Sequence, residues 1–303
     1  MPGLLEELAR HVELCLLNQA PDPQAFLAEH GARFLGLVTS SASGLPASVL
    51  AALPGLQVIS NFGVGIDHLD LTEIRRRGIT VGYTPDVLND CVADLAVGLM
   101  IDVARGISAA DRFVRAGQWG GPQRFGLGTR VSGKRVGMIG MGRIGRVIAR
   151  RMQGFDVDIR YHSRHAASDV PYAHEPDLLT LAAWSDFLVV IVPGDASTRH
   201  LVSRAVLRAL GPQGYLVNVA RGSVVDEAAL LAALQQGELR GAALDVFEHE
   251  PHVSRGLQNL NQVVLLPHIG SGTHETRQAM ADLVVANLRA FFEGRPEQVI
   301  SPE

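Results

Sequence analysis

Residues 134–152, KRVGMIGMGRIGRVIARRM, decide the fold of this chain. The first part is a short apolar run that predicts a buried strand, and the last part has the spacing of a helix. Between them, Gly140, Gly142 and Gly145 stand in GxGxxG spacing. A strand, a glycine-rich turn and a helix in this order are typical of a doubly wound dinucleotide-binding domain.

Each glycine of this turn has a mechanical purpose. Gly140 permits the tight turn, Gly142 lets the backbone approach a pyrophosphate, and Gly145 allows the helix to pack closely on the strand. The helix N-terminus then offers free amides to the phosphates. An ordinary βα turn is the alternative, since glycine-rich turns are common. We therefore expect dinucleotide contacts from the whole turn, including Met141, Arg143 and Ile144.

The next strand, VDIRYHS at residues 157–163, bears on the choice of cofactor. An NAD enzyme places an acid at the end of this strand against the ribose hydroxyls. Here Ser163 stands about where that acid belongs, and Arg164 follows with a fork suited to a 2′-phosphate. Asp158 lies at the other end of the strand. The pattern predicts NADP(H) as the preferred cofactor, with NAD(H) possible, unless Arg164 is only a solvated loop charge.

The rest of the chain alternates strand-like and helical segments, which predicts a two-domain α/β protein with parallel sheets. We expect a Rossmann dinucleotide-binding domain at residues 90–283, with strands at 134–140, 157–163, 187–193, 215–220, 242–247 and 263–268. A smaller flavodoxin-like α/β substrate domain is expected at residues 1–89, completed by 284–303, with strands at 12–17, 34–40, 57–63 and 79–83. Residues 88–115 predict one long helix between them.

Composition excludes several other classes of protein. The chain has 303 residues, 47% of them hydrophobic, and a formal charge of -4, which gives no electrostatic footprint for nucleic acid or an anionic membrane. No apolar run reaches the ~18 residues of a membrane helix, and the N-terminus has acids where a signal peptide needs positive charge. We expect a cytoplasmic protein. Cys15 and Cys91 form no CxxC motif, and the histidines show no metal-ligand pattern.

Several separated motifs, in order, resemble the D-isomer-specific 2-hydroxyacid dehydrogenase family, especially its glyoxylate/hydroxypyruvate reductase branch. The resemblance covers nearly the whole chain. The segments that carry it are NFGVGIDHLDL (61–71), TPDVLNDCVADLAVGLM (84–100), GMGRIG (140–145), NVARGSVVDE (218–227), ALDVFEHEP (243–251) and LLPHIGSGTHET (265–276).

The resemblance implies that Arg221, Glu250 and His268 carry the chemistry. All three follow strand-like segments, so they are expected at the carboxyl edge of the sheet, where open α/β folds bind ligands. An Arg suits the carboxylate and carbonyl of a 2-keto acid. A His can protonate the alkoxide that hydride arrival creates, and a Glu on its other nitrogen would orient it and favour its charged form.

The resemblance also implies contacts to the substrate and the nicotinamide. Backbone amides of Gly63, Val64 and Gly65 would hold the substrate carboxylate, unless this segment is a plain turn. Asp245 is similar to the residue that contacts the nicotinamide carboxamide, although it could be only a turn former at a strand end. Further cofactor contacts are expected from Val192, Pro193, Thr198, Val219, Ala220, His268 and Gly270.

The glycine-rich arm at residues 118–132 contains Trp119. An exposed indole is costly unless it meets a partner subunit or a ligand. The resemblance implies a homodimer formed through residues 90–130. Our hypothesis is that Trp119 crosses the interface to the neighbouring substrate site, with local packing as the equal alternative.

One feature departs from the family. Its members usually begin with a β-strand before the helix that here reads GLLEELARH, so the substrate-domain sheet is expected to lack a strand. The predicted activity is reduction of small 2-keto acids, glyoxylate or hydroxypyruvate, to D-2-hydroxy acids. Reduction of hydroxyphenylpyruvate or another 2-keto acid, and a dinucleotide-sensing corepressor-like binding function, are the alternatives.

Overall fold

The computed structural model describes residues 3–302 and divides the chain into two compact units. The first unit comprises the chain up to Leu88 together with the segment from Ser271 onward, and the second unit is Asn89–Gly270. Each unit is a parallel α/β structure with its own sheet. The predicted fold class, a doubly wound dinucleotide-binding domain with a smaller α/β domain, is confirmed.

The strands and helices are numbered in chain order. The strands are β1 (Gly36–Thr39), β2 (Val58–Asn61), β3 (Thr80–Gly82), β4 (Arg135–Ile139), β5 (Asp158–His162), β6 (Ala173–His174), β7 (Phe187–Val190), β8 (Tyr215–Asn218), β9 (Gly241–Leu244) and β10 (Val263–Leu265). The α-helices are α1 (Leu4–Ala9), α2 (Pro23–His30), α3 (Ala47–Ala51), α4 (Leu71–Arg76), α5 (Asn89–Arg105), α6 (Ile107–Arg115), α7 (Arg143–Met152), α8 (Leu178–Trp184), α9 (Arg204–Leu210), α10 (Glu227–Gln235), α11 (Arg255–Gln258) and α12 (His274–Phe292).

The first unit contains a sheet of three parallel strands in the order β1-β2-β3. All four residues of the central strand β2 are buried, because helices cover both faces of a parallel sheet. Leu50, Ile59 and Ile74 are among the side chains that form its core. The carboxyl ends of β2 and β3 lead directly into the loops at residues 61–65 and 83–88.

The second unit contains a sheet of seven parallel strands in the order β10-β9-β8-β7-β4-β5-β6. The chain runs outward from β4 to β6, then returns to the other side of β4 and continues from β7 to β10. This reversal between β4 and β7 is the topological switch point at which doubly wound folds bind their ligands. Strands β7, β8 and β9 are wholly buried, which explains their apolar sequences, apart from Asn218 at the end of β8.

Two predicted elements differ from the structure. Residues 12–17 were expected to form a strand, but they contain coil and the start of a short 3-10 helix at Leu17–Gln19. The sheet of the first unit has only three strands in the described chain, and a β-strand needs a neighbour for its hydrogen bonds. The prediction of one long helix over 88–115 is also wrong. Gly106 adopts a left-handed φ of 65° and separates α5 from α6.

The unit boundary near the C-terminus also differs from the expected one. The expected boundary between residues 283 and 284 falls inside the continuous helix α12, and the structure assigns all residues from Ser271 to the first unit. Ser60 on β2 donates to the carbonyl of Val284 on α12, which ties this helix to the sheet. The short edge strand β6 was not expected, because two residues carry no periodic signal. Among residues 3–302, no helix has the length and apolar character needed to span a membrane.

Candidate active site

The imidazole of His268 pairs with the carboxylate of Glu250 in the second unit. His268 Nδ1 lies 2.8 Å from Oε2 of Glu250, and the other oxygen, Oε1, accepts from the amide of Phe247 at 3.0 Å. Glu250 follows β9, and His268 follows the neighbouring strand β10. The parallel pairing therefore carries both side chains to the same edge of the sheet, as the sequence predicted.

The groups around Glu250 favour the ionised form of its carboxyl group. Burial raises its pKa, but the hydrogen bond to His268, the amide of Phe247 and the charges of His268 and Arg221 outweigh burial and lower the pKa below its usual range. An ionised carboxylate only accepts hydrogen bonds, so the proton between the two groups belongs to Nδ1 of His268. This leaves Nε2 of His268 as the nitrogen able to face a ligand.

A buried aspartate fixes the backbone around His268. Asp245 is only 1% exposed, and its two carboxylate oxygens accept from the amides of Ile269 and Gly270 at 2.7 Å and 2.8 Å. The amide of His268 donates to the carbonyl of Asp245 at 2.9 Å. Burial raises the pKa of Asp245, against the lowering effect of the amides. These contacts hold His268 at a left-handed φ of 55°, a conformation that a non-glycine residue rarely adopts.

Arg221 follows β8 and belongs to the same group of charges as Glu250, whose pKa it lowers. Asn218 shapes the turn before it, since its side chain bridges the amide of Ala220 and the carbonyl of Arg221, each at 3.0 Å. A Cβ at Gly194 would come within 2.7 Å of Cγ of Arg221. The absence of a side chain at Gly194 therefore leaves room for the side chain of Arg221.

A close backbone contact joins the turn of Arg221 to that of Glu250. A Cβ at Gly222 would lie 1.8 Å from the carbonyl carbon of Phe247. Only glycine fits at this approach, because the obstacle is backbone and cannot rotate away. Because Gly222 has no side chain, the turns after β8 and β9 can come into contact. These turns carry two of the predicted functional residues, Arg221 and Glu250.

The glycine-rich turn between β4 and α7 has the expected construction. Gly140 has a φ of 105°, and a Cβ there would lie 2.3 Å from the carbonyl oxygen of Ile191. A Cβ at Gly145 would lie 2.6 Å from the carbonyl of Gly140, so α7 packs directly on the turn. A Cβ at Gly142, in contrast, would meet no atom within 4 Å. The open side of the turn at Gly142 and the first amides of α7 fit a pyrophosphate.

β5 ends at His162, and the two residues that follow it, Ser163 and Arg164, carry no carboxylate. Ser163 Oγ donates to the carbonyl of His165 at 2.6 Å, and the carbonyl of Ser163 faces Nε2 of His174 at 3.0 Å. Arg164 is exposed, and its charge is among those that lower the pKa of Asp195. Asp158 lies at the first position of β5, away from its carboxyl end.

The other predicted cofactor residues lie on the turns after β7, β8 and β10, apart from Met141, Arg143 and Ile144, which lie after β4. Thr198 closes the turn after β7, since its hydroxyl donates to the carbonyl of Pro193 at 2.8 Å and accepts from the amide of Asp195 at 2.9 Å. Val192 is half-buried, Pro193 is exposed, and Val219, Ala220 and Gly270 are buried. On the glycine-rich turn and the start of α7, Met141 is buried, Arg143 is exposed and Ile144 is half-buried.

The predicted carboxylate loop belongs to the first unit and follows β2. Gly63, Val64 and Gly65 are all half-buried. The amide of Gly63 is used within the protein, since it donates to Oγ1 of Thr84 at 3.0 Å. Among the hydrogen bonds of the described chain, the amides of Val64 and Gly65 have no protein acceptor. These two amides are therefore the ones available to a carboxylate.

The arm after α6 carries an exposed apolar surface. Trp119 is 79% exposed and Leu127 is 97% exposed, and Ile107, Val114 and Phe125 are exposed beside them in the sequence. None of the residues of α6 is buried. Ile107, Val114, Trp119, Phe125 and Leu127 together form the arm patch, which lies within the region expected to form the dimer.

Comparison with known proteins identifies the family. Residues 97–270 match the sequence model of the "D-isomer specific 2-hydroxyacid dehydrogenase, NAD binding domain". The chain belongs to the D-isomer specific 2-hydroxyacid dehydrogenase family. It is 47% identical over 296 residues to glyoxylate/hydroxypyruvate reductase A of Arabidopsis thaliana, covering 97% of this chain and 94% of that protein. It is 46% identical to the hydroxyphenylpyruvate reductase of Plectranthus scutellarioides, with 97% and 93% coverage.

A solved structure agrees with this assignment. The NADPH-dependent glyoxylate/hydroxypyruvate reductase of Sinorhizobium meliloti, in complex with NADP and malonate, is 41% identical, with a TM-score of 0.91 and coverage of 100% of this chain and 93% of that one. The predicted family, fold and oxidoreductase class are confirmed. As a member, this chain is an oxidoreductase with a dinucleotide-binding domain.

The sequence did not reveal the residues that hold the predicted functional residues in place. Asn218, Asn61 and Thr84 are buried and polar, and each bonds to a turn that carries a predicted functional residue. The signal available was a polar residue at the end of an otherwise apolar strand, which is where a parallel sheet meets its ligand. That signal does not reveal which backbone group the side chain holds.

Proposed function

We propose that this protein reduces small 2-keto acids to D-2-hydroxy acids with NADPH, glyoxylate and hydroxypyruvate being the substrates. The observation that carries this proposal is the 2.8 Å contact between His268 and Glu250. A carboxylate-oriented imidazole that follows a strand end, in a unit with a dinucleotide turn, is suited to giving a proton to an oxygen that becomes negative.

In the proposed reaction, the bound reduced nicotinamide supplies the hydride to the carbonyl carbon. The carbonyl electrons then move to oxygen, which becomes an alkoxide. His268 donates the proton on Nε2 to this oxygen and yields the hydroxyl group. Glu250, whose pKa is lowered, stays ionised and accepts a hydrogen bond from Nδ1 of His268, which orients the imidazole. Arg221 interacts with the carboxylate and the developing negative charge through its planar guanidinium.

The amides of Val64 and Gly65 are proposed to hold the substrate carboxylate. Both lack a protein acceptor in the described chain, so an anion can use them without displacing a protein hydrogen bond. The glycine-rich turn of Gly140–Gly145 would hold the pyrophosphate, Asp245 the nicotinamide carboxamide, and Ser163 with Arg164 the 2′-phosphate. The NADPH dependence stated for the Sinorhizobium meliloti reductase supports the last assignment.

A homodimer formed through the arm patch is part of the proposal. A 97% exposed leucine and a 79% exposed tryptophan are unfavourable in a solvated monomer. We propose that Trp119 reaches the substrate site of the partner subunit. Replacing Leu127 by Asp should convert the dimer to a monomer in sedimentation analysis, with the exposed Gln123→Asp as a charge-matched control. A wild-type protein that sediments as a monomer would contradict the dimer.

The activity is tested by following NADPH oxidation by the purified protein with a panel of 2-keto acids. The proposal predicts turnover with glyoxylate and hydroxypyruvate, and D-glycerate as the product of the latter. A second candidate, hydroxyphenylpyruvate reduction, is favoured by the 46% identity to the Plectranthus scutellarioides enzyme. A higher kcat/KM for hydroxyphenylpyruvate would select that candidate, and no turnover with any 2-keto acid would reject both.

A further inference from the structure

We propose that Asn61 and Thr84 are positioning residues, which hold the backbone of residues 63–65 so that its free amides are preset for an anionic carboxylate. This inference rests on the proposed function, since it concerns how that site grips its substrate. Neither side chain is exposed, at 0% for both, so neither touches the substrate itself. Their effect is transmitted through the loop.

Asn61, the last residue of β2, binds two carbonyls of the loop at once. Its Nδ2 donates to the carbonyl of Gly63 and to the carbonyl of Gly65, each at 3.0 Å. Its Oδ1 is buried and has no hydrogen-bond partner in the described chain. The opposite orientation of the amide would set Oδ1 against the same two carbonyl oxygens. The side chain therefore acts through its amide donors, and only Asn or Gln among the uncharged residues offers two donors on one atom.

Thr84 holds the same loop from the neighbouring strand. It lies shortly after β3, which pairs with β2 in parallel, so the two residues follow adjacent strands at one edge of the sheet. Its Oγ1 accepts from the amide of Gly63 at 3.0 Å, and its own amide donates to the carbonyl of Gly63 at 3.1 Å. Both polar groups of Gly63 are thus bound, and its carbonyl accepts from Thr84 and Asn61 together.

Because a peptide group is planar, the contacts to the carbonyl of Gly63 also determine the direction of the N–H of Val64. The carbonyl of Gly63 and the N–H of Val64 belong to one planar trans peptide and point in opposite directions. Since two donors hold that carbonyl on the protein side, the N–H of Val64 must face away from them. The next peptide lies between two held carbonyls, those of Gly63 and Gly65, so the amide of Gly65 has little freedom.

The consequence is a loop that needs no reorganisation when a carboxylate arrives. An amide that is already aimed binds an anion more strongly than one that must first be ordered. Loss of the hydrogen bonds from Asn61 or Thr84 should therefore weaken the binding of every substrate by a similar factor, because all 2-keto acids share the carboxylate. A variant that merely distorts the pocket would change the KM values of short and long substrates by different factors.

The experiment compares Thr84→Val, which removes Oγ1 at nearly constant volume, with Thr84→Ser, which keeps the hydroxyl. Calorimetry measures the Kd of malonate for the NADPH complex and the Kd of NADPH alone, and KM is measured for glyoxylate and a longer 2-keto acid. We expect Thr84→Val to raise the malonate Kd and both KM values by about tenfold, the loss expected for one weakened hydrogen bond to a charge. Thr84→Ser should resemble the wild type, and the NADPH Kd should be unchanged in both.

Asn61→Ala serves as the second variant, and its thermal midpoint and NADPH Kd report whether it is folded. It should show the same uniform loss for malonate and both substrates. Wild-type malonate affinity in a folded Thr84→Val protein, or a loss that Thr84→Ser does not restore, would overturn the inference. The malonate measurement does not need turnover, so it remains decisive even if the wild type fails to reduce 2-keto acids, which would overturn the proposed function instead.

Discussion

Nδ1 of His268 lies 2.8 Å from Oε2 of Glu250, although the two residues are 18 positions apart in the sequence. The contact is organised from both sides. The amide of Phe247 holds the second oxygen of Glu250, and Asp245 holds the backbone on either side of His268. The pair is therefore a product of the sheet, because β9 and β10 bring these turns together.

Replacing Glu250 by Gln should lower kcat for 2-keto acid reduction by about 10- to 100-fold. The amide keeps the shape of the side chain but removes the negative charge that lies beside Nδ1 of His268. The Kd for NADPH, measured by fluorescence, should stay near the wild-type value. Unchanged kcat would show that the imidazole does not depend on this carboxylate.

The stability of the His268–Glu250 pair should depend on pH in a defined direction. The folded-state pKa of Glu250 is lowered, so its contribution is fully present above the unfolded pKa and is lost as the pH falls through the folded value. The difference in Tm between wild type and Glu250→Gln should thus shrink as the pH falls below about 4. Asp245, whose pKa is raised, is common to both proteins. A Tm difference that stays constant from neutral to acid pH would contradict the lowered pKa.

Arg164→Ala should reduce the preference for NADPH over NADH by roughly ten- to a hundredfold, the usual effect of losing a charged contact to phosphate. The preference is measured as the ratio of kcat/KM for the two cofactors at a fixed 2-keto acid. Arg160→Ala is a matched control, because Arg160 lies on β5, four residues before Arg164, and its guanidinium stacks on Trp184, with Cζ 4.4 Å from the ring centroid. A wild type that prefers NADH, or a variant that keeps the full preference, would remove Arg164 from phosphate recognition.

Gly222→Ala should be strongly destabilising and should lower activity beyond the loss of folded protein. The added Cβ would lie 1.8 Å from the backbone of Phe247, so the turns of Arg221 and Glu250 must separate. Gly154→Ala is the control, since a Cβ there meets no atom within 4 Å and its φ is not positive. Thermal unfolding and kcat of the folded fraction are the readouts. Equal Tm values for the two variants would show that the contact is not tight.

The sequence predicted the parts of this fold whose cause is local. The strand before Gly140, the turn and the helix after it follow from apolar periodicity and glycine spacing. Residues 12–17, VELCLL, are also a short, mostly apolar run, yet they form no strand, because pairing depends on a neighbour that composition does not reveal. The break at Gly106 was equally hidden, since a glycine inside a helical pattern either continues the helix or ends it.

The candidate site shows the same division. Arg221, Glu250 and His268 could be named from their motifs, since each follows a strand at the carboxyl edge of a parallel sheet. The hydrogen bonds and contacts that hold these residues in place could not be predicted from the sequence. Which carbonyl Asn61 binds, or that Gly222 meets the backbone of Phe247, depends on long-range packing that no local pattern encodes.

The role of His268 as proton donor is tested by the kcat of His268→Ala in NADPH-dependent hydroxypyruvate reduction, measured together with its Kd for NADPH. Because His268 is proposed to give its proton to the developing alkoxide, kcat should fall by roughly 10²- to 10⁴-fold while the NADPH Kd stays close to the wild-type value. A His268→Ala protein that turns over at a rate near that of the wild type would show that His268 is not the proton donor.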